Sequence, residues 1–189
     1  MLKELIKKNR SYRRFKPGVE IKKNTLNQLI DLARLSPSGA NLQPLKYIIS
    51  NDKETNDLIF PTLAWAGYLV NWLGPAENER PSAYIIILGD KQISKKFGVD
   101  HGIAAQSIML GATELGYGGC IIASIDRKKL SENLRITDRF EILLALAIGK
   151  PNETVILDTT KTSKGIRYWR EKDDTHHVPK RSLDEIIIK

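Results

Sequence analysis

The chain has 189 residues, of which 41% are hydrophobic and 28% charged, and it carries a net charge of +8. That length suits one domain over residues 1–189 with a sizeable core, and the composition is that of an ordinary globular chain and not a disordered one. The single cysteine, Cys120, leaves no intramolecular disulfide, no run of about 18 apolar residues marks a membrane span, and no apolar signal core follows Met1-Leu2-Lys3-Glu4, so the reading is cytoplasmic.

Residues 2–8 form the first expected helix, with Leu2, Leu5 and Ile6 on one face. Residues 10–17 read as extended or looped, punctuated by Pro17-Gly18. Asn24 or Thr25 can cap a helix reaching about Leu35, its apolar stripe being Leu26, Leu29, Ile30, Leu32 and Ala33. Ser36-Pro37-Ser38-Gly39-Ala40-Asn41 is a loop by composition. Tyr47-Ile48-Ile49 reads as a strand, and residues 52–73 as mostly helical with a break at Pro61. Residues 83–88 are almost continuously apolar, as a strand covered on both faces must be. Residues 100–115 make the strongest helix, stopped by Gly116. A buried strand at 120–123, a short helix capped by Asp126 and ending near Leu134, and a strand at 142–148 follow. After Pro151 the chain turns polar until Ile186-Ile187-Ile188, a tail that needs another surface to pack on, such as a partner subunit. Helices alternating with short buried strands indicate layers of helix on a central sheet.

The charge is unevenly placed. Lys3, Lys7, Lys8, Arg10, Arg13, Arg14, Lys16, Lys22 and Lys23 crowd the first 23 residues, and Lys161, Lys164, Arg167, Arg170, Lys172, Lys180 and Arg181 crowd the last 30. Two basic ends suit an anion held between them. Solvated faces are the plainer reading, and nucleic acid is the rival partner. No P-loop or G-x-G-x-x-G occurs, the spacing in Gly116-Tyr117-Gly118-Gly119 being wrong for both. His101, His176 and His177 form no metal pattern with Cys120 or the carboxylates. Neither Ser38 nor Cys120 has an identifiable base beside it, which leaves a hydrolase unsupported.

Three segments carry chemistry. In Asn9-Arg10-Ser11-Tyr12-Arg13-Arg14-Phe15, guanidinium forks flank a hydroxyl, a donor set for phosphate and polarised carbonyls. If that segment is extended, Arg10 and Arg13 point to opposite faces and need a turn to share a ligand. In Ser36-Pro37-Ser38-Gly39-Ala40-Asn41-Leu42-Gln43-Pro44, small residues leave backbone N–H groups approachable, and two amides can both donate and accept. Gly118-Gly119, at the turn into a strand, lets backbone approach a ligand closely. Taken singly, each is also an ordinary loop or turn.

These segments, in this order and followed by Ala147-Ile148-Gly149-Lys150-Pro151 and Pro179-Lys180-Arg181-Ser182-Leu183-Asp184-Glu185-Ile186-Ile187, resemble the nitroreductase family of flavoproteins over nearly the whole chain. The resemblance implies an α+β, three-layer sandwich whose central mixed or antiparallel sheet is flanked by helices, in an intertwined homodimer with FMN at the subunit interface. It implies hydride transfer from NADH or NADPH through the flavin to a nitroaromatic, quinone or similar acceptor in a ping-pong cycle. No nucleic-acid or membrane partner, no metal and no catalytic side chain is implied, because flavin N5 carries the chemistry.

Arg10 and Ser11 match the phosphate and ribityl contacts, and Arg13 the cation beside flavin N1 and the C2 carbonyl. Pro37, Ser38, Gly39 and Asn41 match a loop supplied by the other subunit. Gly118 and Gly119 match the turn beside N5, where Gly119 assists with Arg13. Lys180 and Arg181 match the C-terminal phosphate contacts. The sequence departs from the pattern at Asn9, where a second arginine is common, and at Leu45, where tryptophan often stands. Trp65 or Tyr68 is a candidate for the substrate side, although a place in the core is the plainer reading for both. Trp72 and Trp169 are unassigned. The alternatives are a flavin-binding protein without turnover and a basic nucleic-acid-binding protein.

Overall fold

The computed structural model describes residues 1–160 and 165–188. Lys161 and Lys164 of the basic end lie outside the described residues. Helix α1 (Leu2–Lys8) opens the chain with Glu4 in its first turn and Lys7 and Lys8 in its last, an order that opposes the helix dipole. Helix α2 (Lys23–Arg34) buries Leu26, Leu29 and Ala33. It starts a residue or two before the expected caps, because Lys22 stands at the N-cap and no side chain caps it.

Strand β1 (Leu45–Ser50) leads into helix α3 (Lys53–Ile59), capped by Asp52 accepting from the Thr55 N–H at 2.7 Å. The helix expected over residues 52–73 ends there. Pro61 sits in a single tight turn (Phe60–Thr62), and residues 63–73 run irregularly through Ala66 at φ 38°. Strand β2 (Ala83–Asp90) is buried at every position. Helix α4 (Asp100–Glu114) stops where Gly116 takes φ 76°. Strand β3 (Gly118–Ile122) begins earlier than the sequence suggests, so Gly118 and Gly119 are strand residues and not a turn. Helix α5 (Arg127–Leu134) is capped by Asp126 as expected, and strand β4 (Phe140–Gly149) follows.

The four strands form one antiparallel sheet in the order β1-β2-β4-β3. Alternate side chains of β2 and β4 feed two cores. Ile85, Ile87, Leu144, Leu146 and Ile148 pack with α2 and α4, while Ile86, Leu88, Ala145 and Ala147 pack with Ile59, Leu63, Trp65 and Leu130 on the opposite face. Each fully buried isoleucine contributes about 1.5–3 kcal/mol. Both faces are covered, which is why β2 reads as an unbroken apolar run.

The polar tail has structure of its own. Strands β5 (Val155–Thr160), β6 (Trp169–Arg170) and β7 (His176–Arg181) form a second sheet in the order β5-β7-β6, with β5 parallel and β6 antiparallel to β7. The tail therefore pairs first with itself. A short helix α6 (Leu183–Ile186) with a Ser182/Glu185 capping box follows, and Ile186, Ile187 and Ile188 remain exposed.

Candidate functional site

Residues 9–15 cross the edge of the main sheet, with Ser11 bridging Gly119 in parallel fashion and Phe15 bridging Pro151. The Tyr12 N–H donates to the Gly119 carbonyl at 2.9 Å, and the Phe15 N–H donates to the Glu79 carbonyl at 3.0 Å. The Tyr12 N–H also reaches the Arg10 carbonyl at 3.0 Å, closing a three-residue turn at Ser11. That turn supplies what the sequence required, and Arg10 and Arg13 line one cleft. One carboxylate oxygen of Glu153 accepts the Arg13 and Arg14 N–H groups, and the other accepts Arg170 at 2.9 Å. Glu153 is 1% exposed, so this bridge is a buried one.

The cleft encloses about 310 Å³ and is lined by Arg10, Ser11, Arg13, Gly119, His176 and Lys180, with Tyr168 at its side. Arg10 donates through Nη2 to the Ile6 carbonyl at 2.7 Å, while its Nε is buried without a partner among the described residues. The Arg13 guanidinium donates to the Ser11 carbonyl at 3.3 Å, lies 3.4 Å from His176 Nε2 and sits over the Tyr168 ring at 5.1 Å. On β7 the two-residue period sends His176, Val178 and Lys180 to the cleft. Arg181 falls on the other side of the strand and does not line it, which separates the expected Lys180/Arg181 pair.

Burial pushes the His176 imidazole down to about 4, with the Arg13 and Arg170 charges acting the same way, so the ring is neutral at pH 7. Burial pushes the Cys120 thiol up, opposed by nearby Arg13 and Ser11, and Cys120 is a small buried residue.

The two glycines are explained by packing. A Cβ on Gly118 would lie 2.6 Å from the Tyr12 ring and 2.7 Å from Pro151, and one on Gly119 would lie 2.1 Å from the Ala147 carbonyl oxygen. Residues 9–15 and strand β4 fill the space a side chain would need.

The loop at 37–41 lies apart from this cleft. The Ser38 hydroxyl donates to Asp100 at 2.6 Å, the Gly39 N–H donates to the same carboxylate at 3.0 Å, and the Gln43 N–H donates to Ser38 Oγ at 2.9 Å. Ala40, Asn41 and Gln43 all take positive φ (48°, 55° and 51°), a strained path fixed by that carboxylate. Pro37 and Ser38 line a separate cavity of about 200 Å³ with Tyr47 and Asp100. One chain by itself therefore does not bring Pro37, Ser38, Gly39 or Asn41 to Arg13.

Trp65 is 8% exposed, tilts against Phe60 at 5.8 Å and belongs to the second core. It also lines a recess of about 180 Å³ that shares Arg13 and Tyr168 with the cleft. Tyr68 is 47% exposed, its ring lies 4.9 Å from that of Tyr168, and its N–H donates to the Tyr168 hydroxyl at 3.3 Å. Trp72 carries the Arg170 guanidinium at 4.7 Å, and Trp169 stacks on His177. Tyr168 and Glu153 are not among the sequence candidates, and His176 stands there only as a histidine without a metal pattern. The alternation His176-x-Val178-x-Lys180 could have found the histidine. Nothing in the sequence distinguishes Glu153.

Residues 6–150 match the Nitroreductase family. MhqN of Bacillus subtilis, whose name proposes an NAD(P)H nitroreductase, is 25% identical over 187 aligned positions, covering 77% of this chain and 86% of that one. Among solved structures, an FMN-dependent nitroreductase from Clostridium difficile R20291 superposes with a TM-score of 0.62 at 26% identity, covering 78% and 86%. A nitroreductase family protein from Streptococcus pneumoniae TIGR4 superposes with a TM-score of 0.70 at 20% identity over the full length of both chains. The α+β sandwich described above is the fold of these neighbours.

Proposed function

Because the chain belongs to the nitroreductase family, we propose that it is a cytoplasmic oxidoreductase of one domain that holds FMN in the cleft between Arg10 and Lys180. The observation that carries this reading is the convergence of Arg10, Ser11, Arg13 and Lys180 on one cleft, with the buried Arg10 Nε unpartnered among the described residues. A buried guanidinium nitrogen without an acceptor is costly, and a phosphate oxygen is an acceptor of the right charge and geometry. The residues present therefore suit FMN.

When bound, FMN supplies the hydride-accepting and hydride-donating centre for a ping-pong exchange between NADH or NADPH and a nitroaromatic, quinone or similar acceptor. Arg10 and Lys180 hold the phosphate, and the Ser11 hydroxyl donates to a phosphate or ribityl oxygen. Arg13 places a fixed cation where the pyrimidine edge gains charge on reduction. Gly119 lines the cleft with backbone alone, while Gly118 packs against Tyr12 and Pro151 outside it. Tyr68 and Trp65 stand on the acceptor side, Tyr68 at the rim and Trp65 behind the recess.

A homodimer completes the site by carrying residues 37–41 of the partner to the cleft. Helix α4 supports this: its apolar residues are not confined to the face it buries in the core, and Ile103 and Leu110 are only partly covered in the single chain. None of the described helices is long and apolar enough to cross a membrane. The test is an absorbance spectrum of the purified protein, then anaerobic reduction by each nicotinamide. A colourless protein that takes up no added FMN overturns the reading. FMN that binds but is not bleached by NADH or NADPH marks a flavin carrier without turnover.

A further inference from the structure

Arg13 Nη1 lies 3.4 Å from Nε2 of His176. A guanidinium has only donors, so in that contact Nε2 must accept. An imidazole that accepts through Nε2 is neutral and carries its proton on Nδ1. His176 is 0% exposed, and its Nδ1 is buried with no partner among the described residues. The groups around the ring favour the same form. Arg13 and Arg170 are cations, His177 is its neighbour on β7, and the Tyr168 ring packs on it at 5.2 Å. The buried carboxylate of this region, Glu153, is already committed to the Arg13 and Arg14 N–H groups and to Arg170.

We propose that His176 is a positioning residue for Arg13: held as the neutral Nδ1–H tautomer, it accepts from Nη1 and fixes the guanidinium between the Ser11 carbonyl and the Tyr168 face, aimed along the cleft. The proposal rests on the FMN reading for its consequence. A long, rotamer-rich arginine stabilises developing charge only if its direction is set beforehand. With the acceptor removed, Arg13 keeps its charge but loses its aim, and the reduced flavin is stabilised less.

Two measurements test this. In the chain without cofactor, the ¹⁵N shifts of His176 at pH 7 should report a neutral ring protonated on Nδ1. A ring protonated on Nε2, or on both nitrogens, overturns the proposal. In the FMN-loaded protein, His176→Leu should make the midpoint potential more negative by about a tenfold change in the oxidised-to-reduced ratio, about 30 mV for a two-electron couple. His176→Gln, whose Oε1 can take the place of Nε2 as acceptor, should restore it. Native potentials in both variants with FMN bound would overturn the positioning role and leave the FMN reading standing. A native protein that binds no FMN would sink that reading alone, and the tautomer would still decide the Arg13–His176 contact. Should His176→Leu fail to fold, His176→Ala takes its place as the variant without an acceptor, and the tautomer is read in the native chain.

Discussion

Glu153 shows how a single buried charge organises a cleft it does not line. Its two oxygens tie residues 13 and 14 to Arg170, and so tie the N-terminal segment to the second sheet. Glu153→Ala leaves Arg170, 9% exposed, without its counter-charge. Breaking a buried pair from one side costs about 3–5 kcal/mol, so the melting temperature should fall by roughly 10 °C, as calorimetry would register. Arg10→Ala removes a charge-assisted contact worth about 1.5–3 kcal/mol. FMN affinity, read by fluorescence quenching, should weaken by roughly ten- to a hundredfold, and an unchanged affinity would rule out Arg10 as the phosphate ligand. For His176 the sign follows from its lowered value. The unfolded ring takes a proton near its ordinary 6.5 while the folded ring stays neutral down to about 4, so stability rises with pH across that window and is lost as pH falls through it. Urea unfolding at pH 4 to 7 should show this slope, and His176→Gln should flatten it.

At the scale of the elements, the sequence was most legible where chemistry and period coincided. Arg10, Ser11 and Arg13 were visible as a donor cluster, and the turn that unites them was anticipated as a need. The long apolar runs of β2 and β4 and the caps Asp126 and Gly116 were read correctly because both faces or both ends announce themselves. Residues 63–73 mimic a helix in composition, but Leu63 and Trp65 sit in a core while Tyr68, Val70 and Leu73 are exposed, so no helical stripe forms. The second sheet does not show in the sequence because β6 is only two residues, β7 is mostly polar with Pro179 inside it, and the pairing of β5 with β7 joins residues about 20 apart. Without a strand, His176 and Lys180 had no shared face to be seen on. Gly119→Ala tests the packing account of Gly118 and Gly119. A Cβ 2.1 Å from the Ala147 carbonyl oxygen cannot be relieved by a rotamer change, so β3 must shift. We expect a loss of about 1–3 kcal/mol or more in stability, with FMN retention falling alongside.

For the whole molecule, the loop at 37–41 and the cleft at Arg13 are separate in one chain, and the proposed function needs them together. Light scattering after gel filtration should give twice the mass of one chain. Placing glutamate at Ile103 or Leu110 should yield a monomer that no longer retains FMN. A monomer that retains FMN as tightly as the native protein would overturn the shared site.

Strand β2, buried at every position and paired on both sides, is one extreme of this structure, and β6, two residues paired only with β7, is the other. Amide protons of β2 should exchange with solvent only when the entire molecule opens, whereas those around β6 and β7 can exchange through local excursions. His176 and Lys180 lie on β7, within that looser unit. A ligand bound to the closed form suppresses such excursions in proportion to its concentration over its Kd. Deuterium uptake over residues 168–181 should therefore slow as FMN is added, while β2 already exchanges at the slowest rate the fold permits. The small sheet would serve as a gauge of occupancy, readable before any substrate is known.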